Sequence, residues 1–392
     1  MYFFCLLSVV LSNGNLIFLL YLMLCLSFFW CLQIGFFRDF IVFSVKYSMD
    51  RFSIYLVFLC VLIYFFLYFC YNFFMRLSLV FAIISFCTVN FLYFFIFFEL
   101  SIIPLFYVIF SGGNNPERLI SGFSLWIYTL IGGFPLLFNI VKKYPYFFVL
   151  GGSWENFRFF LFERLFWIIA FLIKIPLFGF HNWLPLAHVE APFFGSVVLA
   201  AIMLKLGGYG LYRVFVLLDF YYYFILVLLG FFILGFFWRS FLCLLSRDIK
   251  ALIAYSSIAH MNFFLVCFLF RKKESFLSGL IILFTHGMVS GALFFLFNFL
   301  YLISRSRSYF IKYSLGVQLS SFILVWGSFC VLNSSVPPNC AILAEVFLSS
   351  SLFYIFGILI FFIFFFGFIL CGVFRIYLFL IVMGGKSLLI VV

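Results

Sequence analysis

The sequence predicts an all-α fold: a polytopic membrane helix bundle of about 13 transmembrane helices, two inverted repeats with discontinuous helices. Three observations carry that expectation. Hydrophobic residues make up 68% of the 392-residue chain and its mean hydropathy is +1.33, whereas a soluble globular domain is nearer half apolar. Apolar runs of about 20 residues recur from end to end, without the alternation of a lipid-facing barrel. Prolines interrupt two of these runs close to buried charges, at Pro176 and at Pro337-Pro338.

The elements follow in order. Residues 1–12 are apolar but short, either a first span or a lead-in, and Asn13-Gly14-Asn15 is a turn. Residues 16–37 span, and Arg38, Asp39, Lys46, Asp50 and Arg51 mark a polar connector before a span at 52–74. From Leu77 to Phe110 the chain is apolar for 34 residues, too long for one crossing at about 1.5 Å per residue, so it divides near Asn90 with Glu99 in the second part. The stretch SGGNNPER at 111–118 is a loop by its Gly, Asn and Pro content, and a span follows at 119–141. The interval 142–163 is the longest polar one. Spans follow at 160–183, 191–213, 221–244, 248–270 and 276–303, and 305–312 is a basic loop. The segment 314–352, interrupted by Asn333, Pro337, Pro338 and Asn339, reads as one discontinuous helix, because proline removes a donor and breaks the ladder. Residues 355–382 form the last span. The organisation is then 1–76 N-terminal helices, 77–382 a domain carrying the buried charges (repeats at about 77–213 and 221–382), and 383–392 a tail.

Composition excludes several functions. A net charge of +12 would suggest nucleic acid in a soluble protein, but here the basic residues punctuate loops and read as membrane-edge anchors in contact with lipid. Their distribution is too even to orient the chain. The eleven cysteines are scattered without metal-ligand spacing and read as small buried hydrophobes. The 72 phenylalanines exceed what packing needs and fit the coding bias of a T-rich organelle genome. The N-terminus has no basic n-region or small-residue cleavage site, so no cleaved signal is expected.

The chemistry is concentrated in Phe171–Arg213 and the helices around it. Two carboxylates, Glu99 and Glu345, and two lysines, Lys174 and Lys205, lie deep in apolar helices. Such a group costs about 2.5–3.5 kcal/mol on insertion scales, so four of them on four helices point to a relay more than to a static ion pair. A desolvated lysine loses affinity for its proton and a nearby carboxylate restores it, which makes a Lys174–Glu99 pair switchable. His260 and His286, among Ser, Thr and Gly neighbours, fit near-neutral proton carriers between Lys205 and Glu345 in chain order. His181, His188, Glu190 and Lys250 are secondary candidates near helix ends. A helix break beside a buried charge is the device by which transporters line an aqueous cavity with unwound backbone, and it occurs in both halves.

At these residues a resemblance is specific. FFELSIIPLF, GGNNPERL, AFLIKIPLFGFHNWLPLAHVEAP, GSVVLAAIMLKLGGYGLYR, DIKALIAYSSIAHM, THGMVSGALFF and PPNCAILAE resemble the antiporter-like membrane chains of NADH:ubiquinone oxidoreductase, respiratory complex I, over roughly 80–350. NNPERL and AHVEAP favour the chain 4 branch over the sister chains 2 and 5. The resemblance implies that Glu99 and Lys174 are the coupled carboxylate–lysine pair, Lys205 the central lysine, His260 and His286 members of the central hydrophilic axis, and Glu345 the distal glutamate. It implies a proton-translocating subunit of the mitochondrial inner membrane, with the other membrane-arm subunits as partners. It also implies that NADH, FMN, iron–sulfur clusters and ubiquinone are bound elsewhere in the complex, and that this chain binds no cofactor itself. Two positions depart from the family: Leu186 stands where it usually has a lysine, and Ala344 where it has a glycine. The C-terminus is short, so the family's last helix is expected to be missing or replaced by a neighbouring subunit. The competing readings are a stand-alone cation/proton antiporter of the same superfamily, disfavoured by the lack of an Asp pair at depth, and a scaffold that conducts nothing.

Overall fold

The computed structural model describes residues 40–42, 48–68, 73–112, 116–143, 161–217, 222–270, 273–304, 307–308, 320–334, 339–356 and 358–383. The expected spans at 1–12 and 16–37 and the tail beyond Met383 lie outside the described residues. In the polar connector, β1 (Phe40–Val42) and β2 (Ser48–Asp50) pair as an antiparallel ribbon with Phe40 opposite Asp50. This departs from a purely helical expectation: near two apolar spans, backbone groups in a short polar segment pair across a hairpin instead of in a helix.

Everything else described is helical or connecting turn. The helices are α1 (Arg51–Tyr68), α2 (Phe73–Cys87), α3 (Phe91–Leu100), α4 (Ile102–Ser111), α5 (Glu117–Lys143) and α6 (Leu161–Lys174). Then come α7 (Trp183–Glu190), α8 (Phe193–Val198), a π-helical turn (Leu199–Met203) and α9 (Leu204–Leu217). The chain continues through α10 (Tyr222–Leu245), α11 (Ile249–Leu269), α12 (Lys273–Ser304), α13 (Ser320–Asn333), α14 (Ala341–Phe356) and α15 (Ile358–Met383). Among the described residues, seven helices are long and apolar enough to cross a membrane, and four shorter apolar helices accompany them. The chain is a multi-pass membrane protein.

Burial sorts the long helices into two shells. The spans Phe193–Phe215, Ile249–Leu269 and Glu274–Ser304 are 94%, 89% and 83% buried, while those in α5, α10 and α15 are 39% buried. The inner three pack on one another and α12 also meets α13 and α14. The outer helices turn large apolar side chains outward, among them Phe134, Phe138, Leu234, Phe366 and Ile376, as a lipid-facing surface requires.

Three breaks shape the bundle. The division expected near Asn90 is present: α2 ends at Cys87, Asn90 is extended (φ −75°, ψ 135°), and α3 starts at Phe91. Arg213 of α9 reaches this break and donates to Thr88 O at 3.0 Å and to Val89 O, with its guanidinium over the Phe91 and Phe94 rings. The expected span at 160–183 is cut short. Pro176 supplies no donor, α6 ends at Lys174, and the turn that follows uses Gly179 at φ +100°, a left-handed conformation that favours glycine. The third break separates α13 from α14. Asn339 bridges it, donating to Leu332 O and accepting from the Ala341 amide at 3.2 Å, while Pro337 and Pro338 lie outside the described residues.

Arg213→Met keeps the length of the side chain and removes its donors, leaving two buried carbonyls at the first break without their partner. A loss of about 1–3 kcal/mol is expected, read as a lower thermal midpoint of the purified protein in detergent. Arg213→Lys should recover part of it, and equal midpoints for wild type and Arg213→Met would refute the assignment.

Candidate proton path through the bundle

The path is built from the first break inward. Glu99 sits one residue before the end of α3, and Lys174 ends α6 where the helix stops. Lys174 Nζ lies 3.5 Å from Glu99 Oε1, 3.5 Å from Phe98 O, and 2.6 Å from the centroid of the Phe98 ring. The Lys174 side chain is 7% exposed and that of Glu99 27%, so the carboxylate is the more open partner. The pair foreseen from sequence is therefore formed, with a π face as a third contact for the ammonium.

From Lys174 the structure leads to Lys205 through close backbone approach. A Cβ on Gly207 would stand 3.1 Å from Lys174 Cβ, so the absence of a side chain there lets the Lys174 stem lie against α9. Lys205 is completely buried, and Nζ donates to Ala200 O at 2.6 Å, five residues back along its own helix. Ala200 lies in the π-helical turn, a rare local geometry that often marks functional sites. Nothing in residue composition announced that turn. Among the described residues no carboxylate lies within 4.0 Å of Lys205.

Gly287 carries the next contact. A Cβ there would meet Lys205 Cε at 3.1 Å and Leu59 Cδ1 at 2.7 Å. Its neighbour His286 is buried, with both ring nitrogens lacking a protein partner, and its ring stacks on that of His260 with centroids 5.3 Å apart. Lys205, His260, His188 and Arg375 all lie within electrostatic reach of His286. Arg375 Nη2 stands 3.2 Å from His260 Nε2; a guanidinium only donates, so that nitrogen accepts and the ring is neutral in this arrangement. Asn333, the last residue of α13, also bonds His260.

His260, His286, Thr285, Asn333, Asn339 and Glu345 line one cavity of about 20 Å³, enough for a single water. The third break thus delivers Asn333, Asn339 and Glu345 to the two histidines. Thr285 Oγ1 donates to Ile281 O at 2.8 Å, which leaves its lone pairs for the cavity.

The secondary candidates separate. His181 Nδ1 accepts from the Gly179 amide at 3.1 Å and stays in the turn after α6, away from the row of charges. His188 comes inward: it is fully buried, flat against the Phe294 ring at 4.9 Å, unpartnered at both nitrogens, and within reach of Lys205 and Lys250. Lys250 Nζ donates to Val189 O at 3.1 Å and Ala191 O at 2.7 Å, capping the C-terminal end of α7. Glu190 joins neither histidine; it meets Arg307 at 2.6 Å and Arg118 at 3.9 Å. Burial opposes the charge of Arg307, but the hydrogen bond and charge of Glu190 outweigh it and hold the guanidinium above its ordinary range. To the two deep lysines expected from sequence the structure adds Lys250 and the buried arginines Arg213, Arg239 and Arg375. Arg375, flanked by apolar residues on both sides in α15, was visible as a charge within a span.

Six of the seven described cysteines are buried, as small hydrophobes would be. Among the described residues no cluster of His, Cys, Asp or Glu has the geometry of a metal site.

Comparison with known proteins follows the same residues. The family described as NADH:quinone oxidoreductase/Mrp antiporter, TM, matches residues 88–371. NADH-ubiquinone oxidoreductase chain 4 of Artemia franciscana is 37% identical over 271 residues, 67% of this chain and 68% of that one. Its counterpart from Squalus acanthias is 35% identical over 294 residues, 70% of this chain and 61% of that one, so the match spans about two thirds of these relatives. A chain of respiratory complex I from Thermus thermophilus with bound NADH shares the fold, with TM-score 0.77 at 20% identity, covering 87% of this chain and 76% of that one.

A density map that resolves solvent should place an ordered water in the cavity between His286, Asn339 and Glu345, since a polar cavity of that size binds one. A cavity found dry would remove the hydrated link between the histidines and the glutamate.

Proposed function

Because this chain belongs to the NADH:quinone oxidoreductase/Mrp antiporter transmembrane family, we propose that it is a proton-translocating core membrane subunit of NADH:ubiquinone oxidoreductase, respiratory complex I, in the mitochondrial inner membrane. The observation that carries this reading is the row Glu99–Lys174–Lys205–His286–His260–Glu345. Its members come from α3, α6, α9, α12, α11 and α14, and helix breaks or the π turn stand beside four of them.

In this mechanism each group changes protonation when its neighbour's charge changes. Protonated Lys174 is stabilised by Glu99 and by the Phe98 ring; loss of either contact favours release of its proton. Lys205 has a carbonyl and no carboxylate as its near partner, so its charge answers to His188 and His286 across the low-dielectric core. His286 can take a proton on one ring nitrogen and give one from the other, and the cavity water links it to Glu345. Arg375 holds His260 with Nε2 as acceptor and sets a fixed positive charge at the distal end of the row. The redox groups, NADH, FMN, iron–sulfur clusters and ubiquinone, belong to other subunits, and sister chains 2 and 5 are the neighbours in the membrane arm. Membership of the family's respiratory branch, seen in the similarity to chain 4 relatives, favours this reading over a stand-alone antiporter.

Glu99→Gln or Lys205→Met should lower proton translocation and the coupled NADH:ubiquinone activity about tenfold or more while the complex still assembles, as loss of a positioned proton carrier does. Reconstituted vesicles with a pH-sensitive dye measure it. Full pumping by either variant would sink the relay.

A further inference from the structure

A second polar cavity lies apart from the relay, at the ends of four helices. It measures about 100 Å³, several times the volume one water needs, and is lined by Arg118, Lys250, Arg307, Ser196 and Tyr301. Arg118 is in the first turn of α5, Ser196 in α8, Lys250 in the first turn of α11, and Tyr301 in the last turn of α12 with Arg307 just beyond it. Helices that start and one that ends meet here, so the cavity sits at a membrane edge rather than at mid-depth.

The charges do not balance. Three cations face the space, and Glu190 is the carboxylate in contact with them, at 2.6 Å from Arg307 and 3.9 Å from Arg118. Asp248 attracts Arg307 as well but does not line the cavity. Glu190 Oε1 is taken by Arg307, and Lys250 spends donors on Val189 O and Ala191 O. Arg118 is held only loosely: its Nε stands 3.9 Å from Glu190 Oε2, too far for a hydrogen bond, and its Nε and Nη1 are buried without a hydrogen-bond partner in a side chain 16% exposed. A buried guanidinium with free donors is costly. Planar paired donors match a tetrahedral oxyanion, and Lys250 adds a point charge, while the Ser196 and Tyr301 hydroxyls stand in the wall.

We propose that this cavity binds a phosphate group, with Arg118 as the principal donor and Lys250 and Arg307 as supporting charges. The same chemistry is offered by an anionic phospholipid headgroup and by free phosphate. Of the helices that meet here α5 is lipid-facing, and it presents Leu119, Ile120 and Phe123 outward beside Arg118, a surface along which acyl chains could run. It is independent of the relay, since none of its three cations belongs to that row.

The test is hydrogen–deuterium exchange on the assembled membrane complex, read on peptides covering 116–122, 188–196 and 300–308. Three conditions are compared: nanodiscs of phosphatidylcholine alone, the same with phosphatidylglycerol, and phosphatidylcholine with inorganic phosphate. Exchange at these helix ends should slow about threefold or more on adding the anion. Protection by phosphatidylglycerol alone assigns the lipid headgroup, and protection by inorganic phosphate as well assigns the free anion; both support the site. Arg118→Gln should abolish the protection and Arg118→Lys should retain part of it. Equal exchange in all three conditions, or full protection in Arg118→Gln, overturns the proposal. Should Arg118→Gln fail to assemble, the wild-type conditions decide alone.

Discussion

Lys205 sets the terms for the bundle: a side chain of zero exposure, capable of positive charge, whose near polar partner is one backbone carbonyl. An ammonium in so apolar a place is costly unless nearby dipoles and charges answer it. The surrounding structure is arranged to do so at a distance. The π turn presents Ala200 O, Gly287 lets the stem pass, and His188 and His286 stand near enough to feel its charge. None of these neighbours is a carboxylate that would fix the lysine in one protonation state. That is the difference between a structural ion pair and a group whose state can be changed by what happens next to it.

The contrast with Glu190 makes the point within one molecule. Glu190 is held by Arg307 at 2.6 Å and lies close to Arg118, where helix ends meet. Such a pair anchors the connector between α7 and α8, while Lys250 caps the end of α7. Lys174 and Glu99 occupy the middle ground, 3.5 Å apart with unequal exposure. The tight pair fixes position, while the looser pair leaves its charges more open to their surroundings.

Much of this was legible in the sequence, for physical reasons. Charges inside apolar runs stand out because hydrocarbon penalises them, and this located Glu99, Lys174, Lys205, His260, His286 and Glu345. Pro176 and Asn90 announced breaks that the backbone makes. What composition could not show was direction. His181 and His188 are seven residues apart on one connector, yet one stays in the turn and the other enters the core. Arg375, which the expectation of two deep lysines leaves out, is brought by α15 to 3.2 Å from His260. The π turn has no signature in residue type, since Leu199–Met203 is as good an α-helical stretch as its neighbours. The β ribbon was hidden because a polar connector of ordinary composition can pair or not according to what lies beside it.

That π turn also fixes phase. A helix advances about 100° per residue, and one π turn absorbs one residue more than the α ladder would. Everything from Leu204 onward is therefore rotated by about that angle relative to an unbroken helix continuing from α8. Lys205 faces the row of charges, and eight residues later Arg213 faces the carbonyls of the first break, because of that one surplus residue. Straightening Leu199–Met203 into α geometry with every residue kept would turn both side chains away from these partners, whereas deleting one residue would restore the α ladder and keep their phase. In this helix, one surplus residue held in a single turn sets the angle of the buried lysine and of the arginine that closes the first break together.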